Sequence, residues 1–296
     1  PLGQVVVGLG LLFGNGAAAY LSRLLGRGDR QTADKVASTA LYGSVFIGAV
    51  VIFCSVLFLK PILRQLGAIE SVMPYAVTYT GIYITFSIFN VFNVTMNNIV
   101  TSEGAARTTM CVLLTGAALN MVLDPVFIYV LKLGVAGAAI ATAISQAVST
   151  LVYLYYVISG RSMFCFRFRN CCFSNEIMSE ILKIGIPTLA FQLLTSLSIT
   201  MINMQAKPYG DSVIAGMGAV TRMISLGSLM VFGFIKGFQP IAGYNYGAGN
   251  YERLHEAIRI SVVWSTLFCA AFGLTMAVFS DPVISRFTKD DMEMIR

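Results

Sequence analysis

Residues 108–131 read TTMCVLLTGAALNMVLDPVFIYVL, an apolar run in which Asp124 is the one charged side chain. A bilayer core is about 30 Å thick, and a helix that rises about 1.5 Å per residue crosses it with about 20 residues. The run is long enough for such a crossing, and its composition suits hydrocarbon. It therefore predicts a transmembrane helix with a carboxylate at membrane depth.

Further apolar runs flank this one on both sides. They cover residues 2–22, 37–59, 71–100, 133–158, 184–206, 212–243 and 260–280. The whole chain is 56% hydrophobic and 11% charged, whereas ordinary soluble domains carry about 25% charged residues. This composition excludes a water-soluble globule. It predicts an all-α, polytopic membrane protein with about eight transmembrane helices.

The basic residues are distributed unevenly among the loops. Eleven Lys and Arg residues lie in the loops after the first, third, fifth and seventh runs, against seven in the other loops and the tail. Because short loops rich in Lys and Arg stay cytoplasmic, the first group is predicted to lie inside. The net charge of +6 then reflects topology rather than nucleic-acid binding. We expect a multi-pass protein of the cytoplasmic membrane.

The cysteines indicate neither a disulfide framework nor a metal centre. Three of the six lie in predicted spans and three in a predicted cytoplasmic loop: Cys54, Cys111, Cys269, Cys165, Cys171 and Cys172. The loop group would lack a fourth ligand for zinc, and we expect reduced thiols. No metal and no cofactor are predicted apart from a coupling ion.

Two segments of the chain repeat at an offset of 221 residues. Five positions of the first coincide with five of the second: Phe13, Gly16, Gly26, Gly28 and Asp29 with Phe234, Gly237, Gly247, Gly249 and Asn250. We call Gly26–Asp29 and Gly247–Asn250 the repeat hinge motifs, and expect a short polar helix after each. Because an even number of runs separates the copies, both insert with the same orientation. This is a parallel repeat of six spans.

The repeat also predicts the domain organisation. Two such units give twelve helices in two pseudo-symmetric lobes across a central cavity. The chain is then expected to be part of a longer transporter and to hold helices two to nine. Its predicted parts are an N-terminal lobe lacking its first helix in 1–160, a cytoplasmic inter-lobe linker in 161–183, and the first three helices of the C-terminal lobe in 184–296. We do not expect this piece to transport alone.

Four short segments resemble a known family. They are YLSRLLGRGD at 20–29, NMVLDP at 120–125, GVAGAAIATAIS at 134–145 and QPIAGYNYGAGN at 239–250. In this order and at these spacings the chain resembles the multidrug and toxic compound extrusion family along its whole length. The resemblance implies a monomeric antiporter, coupled to Na⁺ or H⁺, that exports small organic and often cationic compounds by alternating access.

Asp124 is the leading candidate for a cation site. A carboxylate at membrane depth is costly unless it faces water or a partner. Asn120 lies one turn away on the same helix face. Thr142 on the returning helix is expected at the same level, since Asp124 lies roughly 10 Å and Thr142 roughly 12 Å from the outer end. A carboxylate, an amide oxygen and a hydroxyl suit a small hard cation, and Pro125 is expected to bend the helix and free a carbonyl.

These positions match, spacing for spacing, the acidic cation site in the N-terminal lobe of the family that the chain resembles. In that family a further Asp on the first helix takes part. The chain carries no acid between Glu180 and Asp211, where a branch of the family has one on its seventh helix, which favours coupling through the N-terminal lobe. The alternative is that Asn120 and Asp124 bond locally and steady a kinked helix.

A second set of polar residues predicts the wall of a substrate cavity. Asn93, Asn97 and Tyr83 form a polar stripe on the third run, and Gln192 follows a Gly-Ile-Pro helix opening. Lys236 lies about 10 Å from the cytoplasmic end of its span. Two alternatives stay open: the stripe joins helices by hydrogen bonds, and Lys236 snorkels to the interface instead of serving in gating or substrate exclusion.

Two other functions compete with drug/cation antiport. A lipid-linked oligosaccharide flippase of related architecture would need several basic residues for pyrophosphate, whereas the predicted spans offer Arg222 and Lys236. A membrane enzyme would need a nucleophile, a metal cluster or paired acids, and a single span Asp without a nearby His supplies none. We therefore predict a transporter and not an enzyme.

Overall fold

The computed structural model describes residues 2–65, 73–206 and 211–278. Some side chains within these ranges, that of Arg222 among them, lie outside the described part. The predicted charged tail after residue 280 also lies outside it.

The described residues form nine α-helices joined by short connections. Their bounds are α1 Leu2–Arg27, α2 Arg30–Leu57, α3 Leu59–Gln65, α4 Met73–Ser102, α5 Ala106–Pro125, α6 Gly134–Ile158, α7 Asn175–Ala206, α8 Asp211–Gly247 and α9 Tyr251–Val278. All but α3 are long and apolar enough, by length and composition, to cross a membrane. The prediction of an all-α, polytopic membrane protein with eight spans is confirmed.

Large apolar side chains are exposed along the long helices. Examples from four helices are Phe53, Leu113, Leu151 and Trp264, each at least 60% exposed. Apolar surface on this scale is not tolerated on a soluble monomer, whereas lipid tails cover it at no cost. The outer faces of the bundle therefore fit a hydrocarbon environment.

The segments after the repeat hinge motifs differ from the prediction. They form the first turns of α2 and α9 rather than separate short helices, so that expectation was wrong. Asp29 caps α2 directly, because its Oδ1 accepts a hydrogen bond of 3.0 Å from the Thr32 amide. The helix then continues without a break to Leu57. The next helix, α3, has seven residues and is too short to cross a membrane.

Helix α1 is central in the described structure and contacts α2, α4, α7 and α8. Its side chains Phe13, Ala17 and Leu21 are fully buried, and Gly16 lies against the carbonyl of Ile181 in α7. Small residues let helix backbones approach closely in a membrane, where packing replaces the hydrophobic effect. α1 thereby holds together the helices around the candidate site.

The segment between α6 and α7 is fastened to the first part of the chain. Its backbone exchanges hydrogen bonds with four side chains of α2: Asp34, Ser38, Thr39 and Tyr42. Ile177 and Ile181, at the start of α7, belong to the same apolar core as α1 and α2. Much of the predicted linker, 161–183, therefore packs with the N-terminal helices, while the two-lobe division itself stays a prediction.

Candidate functional site

The three residues predicted to form a cation site lie together. Asn120 and Asp124 are one turn apart on α5, and the Asn120 amide nitrogen lies 3.2 Å from Asp124 Oδ1. The same nitrogen lies 3.4 Å from the hydroxyl oxygen of Thr142 on α6. The Thr142 hydroxyl in turn donates to the Ala138 carbonyl at 3.0 Å. Carboxylate, amide and hydroxyl thus meet at one point between two helices.

The chain turns from α5 to α6 immediately after this cluster. Pro125 cannot donate a backbone hydrogen bond, and the residues after it, Val126–Val130, form a π-helical turn. In that turn the Leu131 amide bonds to the Val126 carbonyl at 2.9 Å. The predicted bend at Pro125 thus takes the form of a wider turn, and π-helical turns occur frequently at functional sites. A backbone carbonyl as a fourth ligand stays a prediction.

A cavity of about 440 Å³ opens beside the cluster. Helices α1, α4, α5 and α6 form its wall, and α8 adds a single described residue, Lys236. Asn120 and Thr142 lie at one end of the lining, while Asn97 and Lys236 lie at the other. Depth can be counted from the turn that joins α4 to α5, at about 1.5 Å per residue. On this scale Asn120 on α5 lies about 13 Å farther from the turn than Asn97 on α4. The candidate cation site and the predicted cavity wall therefore border one space.

Lys236 reaches across the cavity mouth to the opposite helix. Its ammonium donates to Asn97 Oδ1 at 3.1 Å, and the Asn97 amide donates to the Tyr153 hydroxyl at 3.2 Å. Of the two alternatives left open for Lys236, this contact favours a side chain that faces the cavity over one that snorkels to the interface. Helix α8 continues to Gly247, so Lys236 lies about 16 Å from the end of the helix.

Asn93 is the second stripe residue that lines the cavity. Its amide donates to the carbonyl and to Oε1 of Gln146, both at 2.8 Å, and its oxygen accepts from Thr150 at 3.0 Å. Both roles left open for the stripe therefore hold at once: Asn93 joins α4 to α6 and also borders the cavity.

The polar face of α6 was not predicted from the sequence. Besides Thr142, this helix contributes Gln146, Ser149 and Tyr153 to the cavity lining. Their spacing of four, three and four residues places them on one helical face. This period was present in the sequence and could have identified the wall opposite α4.

Tyr83 lies outside the described cavity lining, which corrects its predicted role. It shares a helix face with Asn97 but lies about four turns nearer the other end of α4. There its ring stacks on Tyr79 with a centroid distance of 6.2 Å and its hydroxyl approaches Gly3 of α1. The stripe does lie on one face of α4, but the described cavity borders only the part of it that contains Asn93 and Asn97.

Gln192 also lies outside the described cavity lining. Its side-chain amide hydrogen bonds to Gln4 of α1, and its aliphatic carbons approach Gly8. The close packing of α7 against α1 turns Gln192 into this contact rather than into open space. Gln192 thus makes an interhelical hydrogen bond and is not among the described residues that line this cavity.

The repeat hinge motifs have matching backbone geometry. Gly28 and Gly249 have φ values of +76° and +73°, in the left-handed region that glycine adopts without strain. The Asp29 amide bonds to the Leu24 carbonyl at 3.0 Å, and the Asn250 amide to the Asn245 carbonyl at 2.9 Å. Each pair is related by the offset of 221 residues. The two turns are thus structurally equivalent.

Asp29 is held in its ionised form by its capping role. The hydrogen bond from Thr32 is the largest influence and lowers the pKa of the Asp29 carboxyl below its ordinary value of 3.8. Asn250 occupies the equivalent position in the second motif, so the two turns share a fold but differ in charge.

The first glycine of each motif lies in a close contact between α1 and α8. A methyl group on Gly26 would overlap the carbonyl oxygen of Tyr244, and one on Gly247 would overlap the carbonyl oxygen of Arg23. The offset of 221 exchanges both members of one contact for those of the other. The ends of α1 and α8 therefore cross in close backbone contact. We call this contact the pseudo-two-fold crossing, because the repeat relates its two halves. The motifs combine a turn with a helix contact between the two repeats.

The sequence of this chain is similar to those of known proteins. The MatE family model matches residues 1–126 and 187–295. The multidrug export protein MepA of Staphylococcus aureus (strain MSSA476) is 28% identical over 290 residues, which are 98% of this chain and 64% of that protein. MepA of strain NCTC 8325 / PS 47 is 30% identical over 279 residues, or 93% and 62%. The chain thus spans less than two thirds of these relatives.

Solved structures share the fold. The crystal structure of MATE in complex with MaL6 matches with a TM-score of 0.93 and 27% identity, over 100% of this chain and 67% of that one. The outward-facing conformation of a multidrug resistance MATE family transporter of the MOP superfamily matches with a TM-score of 0.92 and 28% identity, over 100% and 66%. The described helices therefore have counterparts along the whole chain.

Proposed function

Since this chain belongs to the MatE family, we propose that the whole protein exports small organic compounds across the membrane in exchange for Na⁺ or H⁺. The observation that carries the proposal is the meeting of Asp124, Asn120 and Thr142 beside a cavity. The name of the MepA relatives, multidrug export protein, supports the direction and the kind of cargo.

The chemistry of the cluster suits a small cation. Asp124 supplies a carboxylate and Thr142 a hydroxyl oxygen, the oxygen ligands that hard cations prefer. Asn120 now directs its amide nitrogen at both. Rotation of this amide by half a turn would present its oxygen instead, and would leave the nitrogen free to bond elsewhere. For H⁺ the Asp124 carboxylate alone is the acceptor.

The binding of a cation and the binding of a cargo compound would be coupled because the cation cluster and the cavity share residues. Asn120 and Thr142 both bond within the cluster and line the cavity. A cation that reorients Asn120 changes the cavity wall, so a compound in the cavity and an ion in the cluster influence each other's binding. Exchange then requires that the cavity open alternately to the two sides. The pseudo-two-fold crossing of α1 and α8 is the contact that such a motion would break and remake.

The flippase alternative fits less well. A lipid pyrophosphate needs several cationic groups, whereas Lys236 is the one basic side chain among the described residues that line the cavity. The relatives named above are exporters of drugs.

The test is export by the whole protein with Asp124→Asn. In vesicles with an imposed Na⁺ or H⁺ gradient, each applied separately, the wild type should expel ethidium with one gradient and the variant with neither. Glu256→Gln, an exposed acid on α9, is the matched control and should export normally. Undiminished export by Asp124→Asn would sink the proposal, and normal amounts of monodisperse variant in the membrane exclude misfolding as the cause of a loss.

A further inference from the structure

We propose that Lys236 binds an anionic group of the exported compound, so that the compounds that fit best carry a carboxylate or sulfonate. This inference rests on the proposed export function and deepens it by naming a substrate class. It departs from the cationic compounds that the family resemblance implies.

The charge of the cavity is the first observation. Lys236 carries the only charge among the described residues that line it, and the rest of the lining consists of apolar, amide and hydroxyl groups. Asp124 lies one turn beyond Asn120 on α5 and is not among the described lining residues. Field lines concentrate in a low-dielectric cleft of one sign. The Lys236 end of the cavity therefore attracts negative groups.

The incomplete pairing of the ammonium is the second observation. Lys236 has three donor hydrogens, and its one described partner is a neutral acceptor, Asn97 Oδ1. The nitrogen of Asn97 is already directed at Tyr153, so this amide is fixed with its oxygen toward the ammonium. A buried charge is costly unless a counter-charge compensates it. A carboxylate supplied by the cargo would provide that counter-charge.

The position of the ammonium gives the third observation. It lies at the opposite end of the cavity from Asn120 and Thr142, about 13 Å away in depth. A cargo anion at Lys236 would therefore not compete with a cation for the same oxygens. A single ammonium also suits a single carboxylate or sulfonate better than a pyrophosphate, which needs several cationic groups.

Two dyes that differ at one group test the inference on the whole purified protein. Rhodamine 110 carries a free carboxylate, and rhodamine 123 is its methyl ester with the same fluorophore. Fluorescence polarisation should show that the wild type binds the acid at least about 10-fold more tightly than the ester, as expected for a hydrogen bond between charged groups. Export in vesicles should follow the same order.

The variants separate charge from packing. Lys236→Met should remove the preference for the acid, and Lys236→Arg should retain most of it. Asn97→Asp keeps the lysine but supplies an internal carboxylate, and should also remove the preference. Lys60→Met, an exposed lysine on α3, is the matched control and should bind both dyes as the wild type does.

The outcomes are distinguishable from those for the export function. Equal binding of both dyes by the wild type, or an unchanged ratio in Lys236→Met, would overturn the anion site while export of the ester still supports the proposed function. If neither dye binds, the anion site is overturned, while export of ethidium remains the separate test of the proposed function.

Discussion

The substitution Gly26→Ala tests the crossing of α1 and α8 most directly. The new methyl group would lie well within 3.0 Å of the Tyr244 carbonyl oxygen, whereas carbon contacts are favourable at about 3.5–4.0 Å. Because the obstructing atom belongs to a helix backbone, no side chain can turn aside. The two helix ends must separate by about 1 Å or more at this point.

The energetic consequence follows from that separation. Overpacking of a close contact costs about 1–3 kcal/mol, which is a factor of about 5 to 150 in the population of the closed crossing. Gly247→Ala should act in the same way through the Arg23 carbonyl. The double variant should cost less than the sum of the two, because the first methyl group already separates the helices and neighbouring substitutions are not additive.

The assay is the distance between spin labels on two other helices, α5 and α9, whose first residues lie near the crossing. Labels at Arg107 at the start of α5 and Glu252 at the start of α9, both exposed, report the separation in the whole protein by pulsed electron resonance. Gly26→Ala should shift the distribution to longer distances. Gly237→Ala is the matched control, since a Cβ at Gly237 on α8 meets nothing within 4 Å. An unchanged distribution in Gly26→Ala, with Gly237→Ala also unchanged, would refute the crossing as the closed contact.

Two further predictions concern the cation cluster and the first hinge motif. Thr142→Val removes the hydroxyl that lies 3.4 Å from the Asn120 amide and should raise several-fold the ion concentration for half-maximal export, whereas Thr142→Ser should stay near the wild type; equal values for both would contradict a ligand role. For Asp29, whose carboxyl has a lowered pKa, the stabilising contribution is present above the ordinary value of 3.8 and is lost as pH falls through the lower folded pKa. Thermal unfolding should show that Asp29→Ala destabilises at pH 7 and that this difference narrows below about pH 4; a difference that does not change with pH would contradict the capping role.

The helices were predictable because each depends on its own residues. A run such as 108–131 is apolar over the thickness of a bilayer, and in lipid every backbone amide must be satisfied within the segment. The meeting of Asp124 with Thr142 was predictable for a related reason. The two lie on successive helices joined by a tight turn, so counting residues from that turn places them at the same depth.

The failures concern residues whose partners come from distant helices. Gln192 and Tyr83 are polar, but the packing of α7 and α4 against α1 directs them into interhelical contacts. For Lys236 the sequence left open a side chain that snorkels to the interface. The apolar run ends at residue 243, and composition did not show that α8 continues to Gly247. Its contact with Asn97 bridges 139 positions of the chain.

By itself, the sequence determined the number of spans, the repeat and the residues of the cation cluster. Each of these depends on composition or period over about 20 residues, or on neighbours across one turn, where helix geometry leaves little freedom. Only the tertiary structure decided that the hinge glycines also form a crossing of two helices, that Lys236 enters the cavity, and that α6 provides the opposite wall. Those features depend on which helix faces lie together, and this is set by the packing of many side chains from separate segments.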